Sequence, residues 1–238
     1  MIAKNSEHGT RADNGSARVI LLLGAPGSGK GTQSAQITSQ LGIRSISTGA
    51  MLREEAKRDT PAGFRLRQTM ATGALVSDEI VCEVVASHLH SRTARESLIL
   101  DGFPRTVRQA RHLDRILRQI GMGSPLVVHL DVPNEVLSKR LSARRQCARC
   151  GAIYNLASVP SIKGSRCEID GGALVERDDD SQGVIGRRLA EYEAETLPVI
   201  EYYRDADYRR IDGNRAPAEI GKELLEIVGF LAETAVAA

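Results

Sequence analysis

The stretch Arg18-Val-Ile-Leu-Leu-Leu-Gly-Ala-Pro-Gly-Ser-Gly-Lys30-Gly-Thr32 decides the fold. Its apolar part, Arg18 to Leu23, is a short run that ends in a glycine-rich turn, which predicts a buried parallel strand. A helical pattern begins at Lys30 and continues to Leu41. A strand, a glycine loop and a helix in this order are the context that a phosphate-binding loop requires.

The glycine loop has the chemistry of a phosphate cradle. Its glycines let consecutive backbone N–H groups turn toward an anion, and the helix N-terminus adds a favourable dipole. The common pattern ends in Lys followed directly by Ser or Thr, whereas here Gly31 intervenes before Thr32. The predicted contacts to a nucleoside triphosphate are Gly27, Ser28, Gly29, Lys30, Gly31 and Thr32.

Strand-like and helical patterns alternate along the rest of the chain. Apolar strand-like runs recur at 98–100, 126–130 and 208–211, and helical patterns lie at 78–91, 107–120, 134–144 and 179–203. This alternation predicts an α/β core with a doubly wound parallel sheet flanked by helices. Two segments interrupt it: residues 48–76, which read as helices, and residues 145–176, which hold three cysteines.

Composition excludes several classes of protein. The 238 residues are 42% hydrophobic and 26% charged, with a net charge of +2, so a broadly basic nucleic-acid coat is excluded as the default. The longest aliphatic run is too short to cross a bilayer. Residues 1–17 contain no apolar signal-peptide stretch, and we interpret them as a flexible leader. We therefore expect a cytoplasmic protein with no nucleic-acid or membrane partner.

The clustered cysteines have the spacing of a metal site. Cys147, Cys150, Cys167 and Asp170 form the pattern C-x2-C-x16-C-x2-D, close to a zinc ribbon whose last ligand is a carboxylate. Four protein ligands predict a structural Zn²⁺ site, with iron or metal-free turns as alternatives. A nucleic-acid-binding ribbon is disfavoured because residues 168–180 are acidic. The remaining cysteine, Cys82, lies among valines and is predicted to be a core residue.

Asp101 follows a predicted strand, at the end where ligands of open α/β sheets bind. A carboxylate there can hold Mg²⁺ or its waters, with Thr32 nearby.

Three motifs, GAPGSGKGTQ at 24–33, STGAMLR at 47–53 and DGFPRT at 101–106, resemble the signatures of the adenylate kinase family. The resemblance covers residues 18 to about 230.

The resemblance implies a P-loop nucleoside monophosphate kinase, a monomer serving adenine nucleotide homeostasis. Such an enzyme transfers the terminal phosphoryl group of Mg-ATP reversibly to AMP, giving two ADP. A single kinase domain is expected over 18–238, with an AMP-binding insert at 47–76 and a lid at 145–177. The core would then comprise 18–46, 77–144 and 178–238. Many bacterial members carry a zinc-bound lid, some with three Cys and one Asp, and zinc would keep the moving lid rigid.

Carried over residue by residue, the resemblance also implies the site. Lys30 and Arg140 would hold ATP with the loop, while Asp179 and Asp180 match an acidic pair after the lid. The implied AMP site comprises Thr48, Arg53, Gly102, Arg105, Gln109, Arg177 and Arg188. The implied catalytic side chains are Lys30, Arg105, Arg140, Arg144, Arg177 and Arg188.

Two positions bear on the acceptor. Ala50 stands where the family usually has Asp, and we expect weaker capping of the helix that starts there. Pyrimidine nucleotide kinases resemble Ser-Ala-Gly at the acceptor site, whereas this chain has Ser47-Thr48-Gly49. Thr48 and Thr106 therefore favour AMP, with CMP or UMP as the alternative acceptor.

Overall fold

The structure is a computed structural model that describes residues 17–72, 74, 76–90, 96–156 and 166–236. Most of the predicted leader (1–16), Ser91 of a predicted helix and residues 157–165 of the predicted lid lie outside the described residues. Ala17, assigned to the leader from sequence, is only 5% exposed and packs in the core. Ala17 therefore belongs to the packed core and not to a flexible leader.

Five strands form a parallel core sheet in the order β2-β3-β1-β4-β8, and three form a second, antiparallel sheet in the order β6-β5-β7. We call the second sheet, with its cysteine-bearing turns, the lid sheet. In chain order the strands are β1 Val19–Leu23, β2 Arg44–Ser47, β3 Leu98–Asp101, β4 Leu126–Asp131, β5 Arg144–Cys147, β6 Ile153–Asn155, β7 Leu174–Val175 and β8 Asp207–Asp212.

Helices cover both faces of the core sheet. In chain order they are α1 Lys30–Leu41, α2 Thr48–Lys57, α3 Pro61–Ala71, α4 Asp78–His90, α5 Val107–Gln119, α6 Asn134–Ser142, α7 Gln182–Glu191, α8 Leu197–Tyr202 and α9 Pro217–Val236. A 3-10 turn, Asp178–Asp180, precedes α7, and a π-helical turn, Tyr192–Thr196, joins α7 to α8. No helix in the described part of the chain is long and apolar enough to span a membrane.

Burial on both faces explains why β1 is an unbroken apolar run. Leu21 packs with Leu100 and Leu113 on one face, while Ile20 and Leu22 pack with the α1 and α9 side on the other. All five β1 residues are buried, as parallel strands between two helix layers require. Every neighbouring pair in the core sheet is parallel. The predicted doubly wound α/β fold is confirmed.

Strand β2 was not predicted because its sequence carries almost no strand signal. Of its residues Arg44 to Ser47, only Ile46 is apolar and buried. The strand forms at the edge of the sheet because β3 supplies a parallel partner. Tertiary pairing here overrides weak local propensity.

Two predicted helices have different bounds in the structure. The helix predicted over 134–144 ends at Ser142, because Arg144 already belongs to β5 and pairs with Asn155. The helix predicted over 179–203 is divided into the 3-10 turn, α7, the π-helical turn and α8. The spacing of apolar residues through this segment gives no sign of the π-helical turn, where one extra residue shifts the helical register.

The start of α2 keeps its cap despite Ala50. The Ser47 side chain is the N-cap, and its Oγ accepts a hydrogen bond from the backbone N of Ala50 at 3.3 Å. Capping at this end uses the backbone of residue 50 and not its side chain. The Ser47 cap therefore forms with Ala50 in place, and the weaker capping that we expect from the missing carboxylate stays a prediction.

Candidate active site

Lys30 lies folded back over the glycine loop. Its Nζ donates to the carbonyl oxygens of Gly24 and Ala25 at 2.7 and 2.8 Å. Burial lowers the pKa of Lys30 to about 8, an effect that nearby Asp101 opposes and Arg105 reinforces. A desolvated ammonium whose hydrogen-bond partners are all uncharged gains strongly from an incoming anion.

Gly27 lets helix α6 pack closely against the loop. Its φ is +84°, and a Cβ at this position would lie 2.9 Å from Leu141 Cγ. Residue 27 must therefore lack a side chain for the loop and α6 to meet.

The end of β3 reaches the same place from the neighbouring strand. Asp101 is in register with Leu22 of β1 and with Ser47 of β2. Its Oδ2 lies 3.6 Å from where a Cβ on Gly31 would stand. The predicted magnesium-side carboxylate therefore lies beside the N-terminus of α1.

Arg105 is fixed by the turn that follows β3. Its Nε donates to the Gly102 carbonyl at 2.9 Å, and its backbone N donates to Gln109 Oε1 at 2.7 Å. Gly102 has a φ of +80°, and a Cβ there would lie 3.2 Å from Arg105 Nη2. Thr48 Oγ1 donates to the same Gly102 carbonyl at 3.0 Å. Burial lowers the pKa of Arg105.

Gln109 is held at both ends of its amide. Besides accepting from Arg105, it donates through Nε2 to Asp78 Oδ1 at 2.7 Å. Thr106 Oγ1 donates to the other oxygen of Asp78 and caps α5 by accepting from the Gln109 backbone N. Gln109, which the resemblance assigns to adenine, thus also orients the backbone of Arg105.

One cavity brings together most of the implied AMP site. Its polar and charged walls are formed by Thr48, Arg53, Gly102, Arg105, Gln109, Asp179 and Arg188. Its remaining wall is apolar, formed by Leu52, Met70, Val76 and Val81. Sequence reasoning missed this apolar wall, whose only signal is the scattering of apolar residues through 47–76. A pocket with one apolar wall and one cationic end suits a nucleobase joined to a phosphate.

Three arginines at or near the ends of the lid segment are paired with two carboxylates. Arg144 Nε donates to Asp180 Oδ2 at 2.6 Å, and Arg188 Nη1 donates to Asp180 Oδ1 at 2.8 Å. Arg177 Nη2 donates to Asp179 Oδ2 at 2.7 Å. Arg177 does not line the cavity itself but reaches it through Asp179.

This cluster carries excess positive charge. Burial lowers the pKa of Arg53 and of Arg188 to about 10, and Arg177 beside Arg53 reinforces the shift. Buried cations that depress one another's pKa form a site for a polyanion. Arg140 lies outside this cluster: burial lowers its pKa, and the charged group that opposes the shift is Asp212 at the end of β8.

The lid sheet brings together the four predicted metal ligands. One donor atom from each of Cys147, Cys150, Cys167 and Asp170 lies within 4.8 Å of the others. The Sγ atoms of Cys150 and Cys167 are 3.5 Å apart, and Cys147 Sγ is 3.3 Å from Asp170 Oδ1. Tetrahedral Zn²⁺ with bonds of about 2.0–2.3 Å needs similar separations. The donor set therefore fits zinc.

Neighbouring groups orient these donors. The backbone N–H of Gly172 donates to Asp170 Oδ1 at 2.8 Å and lowers the pKa of Asp170 to about 2. Tyr154, which sequence reasoning did not single out, places its hydroxyl 3.2 Å from Cys167 Sγ. Cys82 is buried in the core cluster as predicted, and burial raises the pKa of its thiol to about 11.

A glycine loop with its lysine, together with arginines that converge on a cavity with one apolar wall, defines a P-loop kinase that acts on nucleotides. The chain belongs to the adenylate kinase family, whose model, described as "Adenylate kinase", matches residues 22–208. An adenylate kinase of Caldicellulosiruptor saccharolyticus is 40% identical over 211 residues, 88% of this chain and 98% of the relative. That of Thermodesulfovibrio yellowstonii is 43% identical over 184 residues, 77% and 86% of the two chains.

Proposed function

We propose that this enzyme transfers the terminal phosphoryl group of Mg-ATP reversibly to AMP, giving two ADP, and so maintains adenine nucleotide levels. The observation that carries the proposal is the cavity that joins Thr48, Arg105 and Arg188, of which the two arginines also lie close enough to the loop lysine to affect its pKa. Phosphoryl transfer needs two anionic reactants held in line and their developing charge neutralised. This site supplies cations from several segments of the chain for that purpose.

Lys30 would exchange its carbonyl partners for the β- and γ-phosphates of ATP. The loop amides from Gly27 to Thr32 would hold the same phosphates, with Arg140 beside them. Asp101 and the Thr32 hydroxyl would hold the nucleotide's Mg²⁺ directly or through water, and that ion neutralises charge on the transferring group. The loop side of the site therefore binds the donor.

The acceptor would lie in the cavity across from the loop. Its base would pack on the apolar wall, and its phosphate would meet Arg53 and Arg105. Arg144, Arg177 and Arg188 would close over the transferring group. Asp179 and Asp180 balance these arginines until the phosphates arrive. Because the arginines are already buried and paired, little reorganisation is needed when substrate binds.

Zinc would be structural in this enzyme. The four donors Cys147, Cys150, Cys167 and Asp170 are all protein groups, so they complete a tetrahedral site and leave no position for a reactant. The lid would then be residues 145–177, the AMP-binding insert 47–76, and the core 18–46, 77–144 and 178–238. We further propose a cytoplasmic monomer without a nucleic-acid or membrane partner.

The test is ADP formation from Mg-ATP with AMP, CMP, UMP or GMP as the acceptor. We expect turnover with AMP and a loss of about 10³-fold in Lys30→Ala, because a central phosphate contact is removed. Lys57→Ala removes an exposed lysine paired with Glu54 and is the matched control. Turnover only with CMP or UMP would overturn the interpretation of Thr48, and no turnover at all would overturn the proposed reaction.

A further inference from the structure

The π-helical turn before α8 carries a buried threonine to which the proposed mechanism assigns no role. Thr196 is 6% exposed, and its Oγ1 donates to the backbone carbonyl of Arg105 at 3.0 Å. The two residues are 91 positions apart in the chain. A buried hydroxyl that reaches a single carbonyl of the DGFPR turn ties that turn to the α7–α8 segment.

The π-helical turn sets the direction of this hydroxyl. A regular helix turns by about 100° per residue, so the step from Arg188 to Thr196 would leave the two side chains about 80° apart. The backbone N of Leu197 instead bonds to the carbonyl of Tyr192, an i to i+5 contact that accommodates one extra residue. The extra residue uses about 100° of rotation around the helix axis. The side chains of Arg188 and Thr196 therefore leave the helix within about 20° of the same direction.

Polar contacts fix the turn at its other end as well. The hydroxyl of Tyr192, its first residue, lies 3.2 Å from Nε2 of the buried His129. The other ring nitrogen, Nδ1, lies 3.0 Å from the Tyr208 hydroxyl. A neutral imidazole has one donor and one acceptor, so two hydroxyls satisfy it. Contacts of Tyr192 and Thr196 with distant residues therefore fix both ends of the π-helical turn.

We propose that Thr196 is a positioning residue that sets the distance between Arg105 and Arg188 across the acceptor site. Arg188 extends from α7 and Arg105 from the turn after β3, and both line the cavity. The Thr196 hydrogen bond joins the backbone of one to the helix of the other. The inference rests on the proposed function, because both arginines are assigned there to the phosphates.

The first test compares Thr196→Val, Thr196→Ser and wild type in steady-state kinetics. Valine keeps the shape and removes the hydrogen bond, so we expect kcat to fall about tenfold and KM for AMP to rise a few-fold. KM for ATP should stay within twofold, and Thr196→Ser should restore kcat to within twofold of wild type. Thr196→Ala replaces the valine variant if valine prevents folding.

The matched control is Thr38→Val. The buried Oγ1 of Thr38 has no hydrogen-bond partner among the described residues, so the same change removes no hydrogen bond. We expect kinetics within twofold of wild type. Equal losses in Thr38→Val and Thr196→Val, or equal rises in KM for ATP and AMP, would overturn a positioning role.

A double-mutant cycle separates action through Arg105 from general destabilisation. In an Arg105→Ala background, Thr196→Val should change kcat less than twofold, because the group that it positions is gone. Additive effects would overturn the proposal. If wild type transferred phosphoryl groups to no acceptor, the proposed function would fail. The affinity for AMP, measured by calorimetry in wild type and in Thr196→Val, would still test the role of Thr196. We expect Thr196→Val to bind AMP several-fold more weakly, and an unchanged affinity would contradict the inference.

Discussion

The core sheet and the lid sheet of this enzyme are stabilised in opposite ways. On one face of the core sheet Leu21, Leu100 and Leu113 are 0% exposed within a large apolar cluster. The buried cluster of the lid sheet consists of Cys147, Cys167 and Leu174, and two of these are proposed metal ligands. The core is thus held by aliphatic burial, whereas the lid sheet has only a small buried cluster and would depend on the proposed zinc site.

This difference predicts which part of the molecule unfolds when a stabilising side chain is removed from either region. Loss of an aliphatic side chain in the core removes part of a shared cluster, so the whole domain loses stability. Loss of a ligand in the lid removes the centre around which three short strands are arranged, so the lid alone should unfold. If zinc holds the lid together as proposed, the lid would keep its shape without a large core and would move as one body over bound nucleotides.

The largest expected effect is that of breaking the metal centre. Structural zinc contributes about 10–16 kcal/mol of apparent binding free energy in zinc-finger peptides at neutral pH. In Cys150→Ser we expect bound zinc to fall below a tenth of wild type and hydrogen exchange to accelerate in 144–155, with the core unchanged. Metal analysis and exchange mass spectrometry measure both.

Cys82→Ala is the control for that experiment, since this cysteine lies in the core and outside the proposed site. It should retain zinc in full. Chelation of the wild-type protein should accelerate hydrogen exchange in the lid and lower the melting temperature of the lid transition. An unchanged melting temperature and unchanged lid exchange, with the metal shown to be removed, would contradict a structural role for zinc.

The next largest effect is expected from Leu100→Ala in β3. The side chain is fully buried, and such truncations cost about 2–5 kcal/mol of unfolding free energy. Urea denaturation should show this loss, while zinc content stays at the wild-type level. Leu174→Ala, in the small lid cluster, should instead accelerate exchange in the lid with little global loss. The reverse pattern would refute the division between the two regions.

Sequence was most informative where chemistry requires particular residues in a fixed order. The glycine loop, Asp101 at a strand end and the C-x2-C spacing were each predicted, and the structure forms all of them from contiguous segments. Alternation of apolar runs likewise predicted the parallel sheet. These features depend on local spacing, which a single sequence carries in full.

Features that depend on tertiary partners escaped prediction. Strand β2 has one buried apolar residue, Ile46, and forms because β3 lies beside it. The π-helical turn has no periodic signal, and its register is set by contacts from Thr196 and Tyr192 to distant residues. Tyr154 reaches the cysteine site only once β5 and β6 pair. In each case the determining partner is remote in sequence.

A pH experiment can sharpen the comparison between core and lid, because the core also contains a buried ammonium group, that of Lys30, which lowers its stability. Burial lowers the pKa of Lys30 from 10.5 to about 8 in the folded chain. Between these values the unfolded chain holds the proton and the folded chain does not, so stability rises with pH there and is lower below pH 8.

We therefore expect Lys30→Met to be more stable than wild type by about 2 kcal/mol at pH 7, because a desolvated charge has been removed. The advantage should shrink between pH 8 and pH 10 as wild type sheds the proton. Melting temperatures without nucleotide, measured in parallel on both proteins, test this. A difference independent of pH would show that Lys30 is not desolvated in the free enzyme.

The smallest expected effect is that of changing Asp170, the one carboxylate among the four proposed zinc ligands. Asp170→Cys replaces a carboxylate oxygen by a thiolate, and Zn²⁺ accepts both in a tetrahedral site. We expect the unfolding free energy to change by less than about 1 kcal/mol, since lid and core are stabilised separately. Zinc retention against a chelator should rise in Asp170→Cys and fall at least tenfold in Asp170→Ala. If Asp170→Ala retained zinc as wild type does, the carboxylate would not be a ligand, and the lid would be held by its three cysteines alone.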